Sequence, residues 1–98
     1  MGAAVPPPLL IHFQGNAVPI TKPRFIIGRG KQGTDLTIKD PNVSRQHAMV
    51  EYSEGQHYLV DLGSTNGVHV RGERVQRRVI NDGDEFHICD HTLRFTRV

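Results

Sequence analysis

The strongest constraint on this chain is its punctuation. Short apolar, β-branched runs are cut again and again by Gly, Asn, Asp or Pro: LLIHF then QGN, RFII then GRGKQG, DLTI then KDPN, HAMVEYS then EGQ, HYLVDL then GSTNG, VHV then RGE, and EFHI then CDH. Such runs are too short for packed helices, and their residue types suit a pleated, half-buried surface. Side chains alternate within them. Ala48, Val50 and Tyr52 share one face, with His47, Met49 and Glu51 on the other; Tyr58, Val60 and Leu62 share a face, as do Phe86 with Ile88 and Leu93 with Phe95. That is the period-2 pattern of half-buried strands. RVQRRVI reads as one further run. No stretch keeps helical spacing between caps, and no internal repeat appears. The pattern predicts an all-β sandwich or barrel of about ten short strands.

The bulk numbers bound the function. A chain of 98 residues is one small domain. A net charge of +2 fits an anion held at one spot and not a surface that wraps nucleic acid. The lone Cys89 cannot form an internal disulfide, which favours an intracellular, cytoplasmic setting. No apolar run approaches the roughly 18 residues of a membrane span. The start, MGAAVPPPLL, lacks the basic and apolar regions of a signal peptide. Residues 1–8 read as a Pro-rich linker or loose terminus ahead of a folded domain at 9–98, as in a domain on a tether.

GRGKQG, Gly28 to Gly33, matches G-x-G-x-x-G after a strand. A dinucleotide fold needs a helix after the third glycine, to set its N-terminus on the pyrophosphate. Here TDLTIKDPN follows, a strand and a turn, so the nucleotide reading fails. The loop still carries Arg29 and Lys31. A second loop, DPNVSRQH, carries Ser44 and Arg45; a third, GSTNG, carries Ser64, Thr65 and Asn66. Loops of a sandwich cluster at its two ends. If these three share an end, guanidinium forks and hydroxyls converge on an anion, and the Asn amide suits a peptide main chain.

These loops, with IIGR, DLTIKDPNVSRQHAMVEY, YLVDLGSTNGVHV, DGDEFHI and LRF, closely resemble the forkhead-associated (FHA) domain from Phe25 to Phe95. That family reads phosphothreonine in protein segments. The resemblance implies a twisted β-sandwich of about eleven short, mostly antiparallel strands, with ligand-binding loops at one end. It implies that Arg29 and Ser44 hold the phosphate, with Arg45 as a second phosphate contact. Thr65 and Asn66 would contact the peptide, and Lys31 lies in the variable part of loop one. Gly28, His47 and Gly67 match structural positions. The partner implied is a phosphothreonine-containing protein of a Ser/Thr kinase pathway, with no nucleic acid, membrane or cofactor involved. A related alternative is a β-sandwich that binds its partner without phosphorylation.

Two other readings compete, a metal site and a hydrolytic enzyme. HICDH places His87, Cys89 and His91 two apart, but three such residues on a straight strand span about 13 Å, against Zn–ligand bonds of about 2.0–2.3 Å. A hairpin turn with exposed polar residues is expected there, with no metal. His12, His57 and His69 read as surface residues. Ser44, His47 and Asp61 supply the residue types of a hydrolytic triad. Ser-x-x-His is not a nucleophile elbow, however, and GSTNG is not G-x-S-x-G, so no catalytic residue is expected.

Overall fold

The computed structural model describes residues 7–98. Eleven strands follow in order: β1 (Leu9–Phe13), β2 (Asn16–Ile20), β3 (Arg24–Gly28), β4 (Leu36–Thr37), β5 (Ala48–Ser53), β6 (Gln56–Asp61), β7 (Val68–Val70), β8 (Glu73–Val75), β9 (Arg77–Val79), β10 (Glu85–Ile88) and β11 (His91–Arg97). No helix occurs among the described residues. One sheet has the order β2-β1-β11-β10-β7-β8, the other β4-β3-β5-β6-β9. Neighbouring strands run antiparallel except β3 and β4, which run parallel. The expected all-β sandwich of about eleven strands is therefore the observed fold. Most of the Pro-rich lead lies outside the described residues; Pro7 and Pro8 are exposed and precede the first strand.

Local chemistry makes the hairpins. Gln14-Gly15, Glu54-Gly55 and Arg71-Gly72 each close a two-residue turn, with φ of 51° and 79°, 52° and 81°, and 51° and 79°. Two consecutive positive φ values define a type I′ turn, whose twist matches that of the strands it joins. Glycine at the second place removes the Cβ clash that a side chain would suffer there.

The core lies between the sheets. Leu9, Ile11, Phe13, Phe86, Ile88, Leu93 and Phe95 face inward from one sheet, and Phe25, Ile27, Ala48, Val50 and Leu59 from the other. Phe86 meets Phe95 edge-on at 5.6 Å between ring centres, a geometry that adds about 0.5–1.5 kcal/mol beyond the burial itself. Ile38, Val43 and Ile80 fill the core from outside the strands.

Three sequence expectations change. In β6 the inward face is His57, Leu59 and Asp61, while Tyr58 and Val60 are half-buried and Leu62 is exposed. The outer face is covered by its own polar neighbours: the Arg77 guanidinium lies 3.7 Å from the Tyr58 ring centre. His57 is consequently buried, not a surface residue, and packs against Tyr52 at 4.9 Å between ring centres. Finally, RVQRRVI is two strands. β8 pairs with β7 and β9 with β6, so the chain changes sheet at Gln76. That corner is pinned to Asp61: Asp61 N donates to the Gln76 carbonyl at 2.9 Å, and Gln76 Nε2 donates to the Asp61 carbonyl at 3.1 Å.

Candidate functional site

Loop one (29–35) leaves β3 against loop two (38–47), which returns to β5. Their backbones touch. A Cβ on Gly28 would lie 2.1 Å from the Arg45 carbonyl oxygen, so only glycine allows this approach. Above it Arg29 N donates to Ser44 O at 2.9 Å and Gly30 N to Arg45 O at 3.1 Å. Asp35 closes the far end of loop one. Its carboxylate accepts from Ile26 N at 2.8 Å and from Lys22 Nζ at 2.9 Å. Burial pushes this carboxyl up, but the Ile26 N–H and the Lys22 charge outweigh it and hold it below its ordinary range.

Loop two is shaped by Asp40, which accepts from Asn42 N through its side chain at 2.9 Å and from Val43 N through its carbonyl at 3.0 Å. This local turn is what an Asp-Pro-Asn stretch favours. The Asn42 N–H, then the His91 ring at 2.8 Å, keep the Asp40 carboxyl below its ordinary range. Loop three (62–67) hangs from the buried Asp61, whose carboxylate accepts from Ser64 N at 3.0 Å. Ser64 Oγ accepts from Gly67 N at 2.9 Å, and Arg74 Nη2 donates to Ser64 O at 3.1 Å. Gly67 has φ +82°, and the Arg74 guanidinium packs where its side chain would stand.

His47 clasps loops two and three. Ser44 N donates to its Nδ1 at 3.1 Å, and its Nε2 meets the Gly67 carbonyl at 2.8 Å. A carbonyl can only accept, so the ring is the tautomer with its proton on Nε2. The ring is fully buried. Both nitrogens are committed to backbone, and the Asp61 carboxylate is turned to Ser64, so Ser44, His47 and Asp61 do not form a relay. The HICDH residues also diverge. Cys89 sits in the β10–β11 turn with φ 53° and donates its thiol to Asn42 O at 3.4 Å, His91 holds Asp40, and His87 meets Thr92. Burial, then the nearby Asp40 charge, push the Cys89 thiol up, which keeps its proton on sulfur for that bond.

The three loops enclose a hollow of about 260 Å³ at one end of the sandwich, lined by Arg29, Asn42, Ser44, Thr65 and Asn66 among others. Arg29 Nε donates to Val43 O at 2.9 Å, which fixes the guanidinium plane and leaves its Nη donors free among the described residues. Ser44 Oγ accepts from Thr65 N at 3.3 Å, so its own proton is available to an acceptor. Asn66 Nδ2 donates to Asn42 O at 2.7 Å, holding the side chain across the rim. Arg45 and Lys31 lie elsewhere. They line an adjoining hollow with Lys39 and the other side of Arg29. A larger hollow at Lys22, Arg24, Glu51 and Tyr52 gathers no comparable set of donors. Sequence reading missed Lys39, whose neighbours DPN announce only a turn. It also missed Asn42, Asp61 and Arg74 as supports, because their partners are distant in sequence.

Comparison with known proteins agrees with this architecture. The family model described as FHA domain matches residues 25–89. The transcriptional regulatory protein EmbR of Mycobacterium tuberculosis is 39% identical over 82 residues, covering 83% of this chain and 21% of EmbR. This chain thus spans about a fifth of the length of that relative. The structure of EmbR in complex with a low-affinity phosphopeptide has a TM-score of 0.86 at 34% identity, over 93% of this chain and 24% of that one. A structure from a study of phosphothreonine-dependent FHA domain interactions has a TM-score of 0.84 at 26% identity, covering 93% of this chain and 97% of that one. With the family model matched over more than half of its length, and with the three loops assembled on an eleven-strand sandwich, this chain belongs to the FHA domain family.

Proposed function

We propose that this domain, over residues 9–98, is a phosphothreonine-dependent interaction module that captures phosphorylated segments of a partner protein and performs no reaction on them. The observation that carries the reading is the Arg29 guanidinium, locked through Nε on Val43 O beside a hollow walled by Ser44, Thr65 and Asn66. A phosphate there takes the free Nη fork of Arg29 and the Ser44 hydroxyl, both fixed before the ligand arrives. Arg45 lends charge from the adjoining hollow as a second phosphate contact. Thr65 and Asn66 contact the peptide main chain; Asn66 has both a donor and an acceptor for it and releases Asn42 O to do so. Lys31 contacts flanking residues. Gly28, His47 and Gly67 hold the loops. The partner belongs to a Ser/Thr kinase pathway inside the cell, a reading supported by the phosphopeptide bound to EmbR.

The test is calorimetric titration with three peptides that differ at one residue: phosphothreonine, phosphoserine and threonine. The phosphothreonine peptide should bind, and the plain one should not. Burying the threonine methyl adds about 0.8 kcal/mol, so phosphoserine should bind roughly fourfold more weakly. Equal binding of the plain peptide overturns the reading in favour of a phosphorylation-independent module.

A further inference from the structure

The hollow beside the candidate phosphate site has a volume of about 450 Å³ and is walled by Arg29, Lys31, Lys39 and Arg45, with Asp40 and Pro41 closing it. Four cations therefore face one carboxylate. None of the four has a carboxylate within 4.0 Å among the described residues, whereas Lys22, Arg74, Arg77 and Arg78 each do. Asp40 offsets one of these charges, but its oxygens are held by Asn42 N and by His91 and not by the four cations. The chain's formal net charge is +2, so this one hollow carries more positive charge than the whole molecule, and the remainder is net negative.

Folding alone does not call for this arrangement. Cations gathered without partners repel one another, and a surface elsewhere laced with ion pairs shows that carboxylates were available to the sequence. A concave patch of one sign concentrates a ligand of the opposite sign. Arg29 lines both this hollow and the one containing Ser44, so the two are contiguous. An extended peptide advances about 3.3 Å per residue, which puts a neighbouring hollow within reach of side chains one to three places away.

We propose that this hollow is a second anion subsite, formed by Lys31, Lys39 and Arg45 with one edge of Arg29, which receives a second anionic side chain of the same peptide, a phosphorylated residue in preference to a carboxylate. The inference rests on the phosphothreonine reading of the first hollow and extends it: the preferred ligand is a multiply charged segment. A phosphoryl group carries nearly two charges and three acceptor oxygens, against one charge for a carboxylate, and it suits a cluster of two ammonium groups and a guanidinium.

The experiment uses peptide pools with a central phosphothreonine and degenerate flanks. In one arm phosphoserine is fixed at each of the three positions on either side in turn, and in a second arm glutamate takes its place. Binding is followed by fluorescence anisotropy for the wild type and for Lys39→Gln. At one or more positions the second phosphate should raise affinity by about tenfold, as expected of charge-assisted hydrogen bonds, and glutamate by less. Lys39→Gln should remove most of that gain and leave the singly phosphorylated pool within about twofold of wild type, since an exposed cation acts weakly over distance in salt. A gain below twofold at every position overturns the second subsite while the phosphothreonine reading stands. A gain that survives in Lys39→Gln overturns its placement in this hollow. If no phosphorylated pool outbinds its plain counterpart, the phosphothreonine reading falls first, and the subsite with it.

Discussion

Two side chains at the site, Arg29 and His47, make opposite kinds of contribution, and substitution separates them. Arg29 is exposed and spends one donor on Val43 O. Its free fork has no role in the fold. Arg29→Ala should therefore weaken phosphopeptide binding by roughly 10- to 150-fold, the worth of about 1.5–3 kcal/mol for hydrogen bonds to a charged group, with little change in melting temperature. Arg29→Lys should recover part of this, because an ammonium cannot form the bidentate contact. His47 has no surface exposure and satisfies Ser44 N and Gly67 O together. His47→Ala leaves both groups without partners, at about 1–3 kcal/mol. The melting temperature should drop, and affinity should fall as a consequence. An unchanged melting temperature with lost binding would make His47 a ligand contact.

At the scale of strands and loops, glycines divide by what surrounds them. Gly28 ends β3 under the loop-two backbone, whereas Gly55 sits in a hairpin turn with φ +81° and open space where a side chain would stand. Gly55→Ala costs only the strain of a left-handed backbone, about 1–2 kcal/mol. Gly28→Ala must push loop two away from loop one. It should destabilise by about 3 kcal/mol or more and should lower phosphopeptide affinity at temperatures where the domain remains folded; denaturant titration and binding of both variants check this. Hairpins such as EGQ and RGE, and the loops GRG, SRQH and STNG, were legible because their chemistry is local: a glycine, a turn-forming side chain, a short run on either side. The inward face of β6 was not. Val60 is about as apolar as Leu59, Tyr58 is an aromatic strand former that suits either face, and the burial of Asp61 depends on Ser64 N in the next loop. Nor was the break in RVQRRVI, which follows from Val75 pairing with Val68 and Arg77 with Val60. Site charges divide the same way. Arg29, beside its glycine, could be read from sequence; Lys39 could not, because only the assembled loops bring it to the hollow.

Acid should unfold the whole molecule in two stages. Burial, then the Arg97 charge, push the His57 ring below its ordinary value of 6.5, and its Nε2 has no hydrogen-bond partner among the described residues. The folded state thus prefers the neutral ring. That preference stabilises the fold fully above pH 6.5 and is lost as pH falls from there toward the lower folded-state value. Asp35 and Asp40 are held below 3.8, so their contribution persists to that pH and is lost beneath it. Melting temperature should decline first below about pH 6.5 and again below about pH 4, and His57→Gln should remove the first decline alone. The pairing of Leu9 with Arg97 has a different, mechanical consequence. Strands β1 and β11 lie side by side, and Phe13 and His91, at their other ends, sit near the ligand loops. The chain therefore enters and leaves the domain at the pole opposite the site. A force applied through both attachment points acts across the ladder, whose antiparallel hydrogen bonds lie perpendicular to the strands. It would part them one after another, like a zipper, instead of shearing them together. In a single-molecule pulling experiment with handles at Leu9 and Arg97, the domain should open at low force, peeling toward the ligand loops and reaching them last.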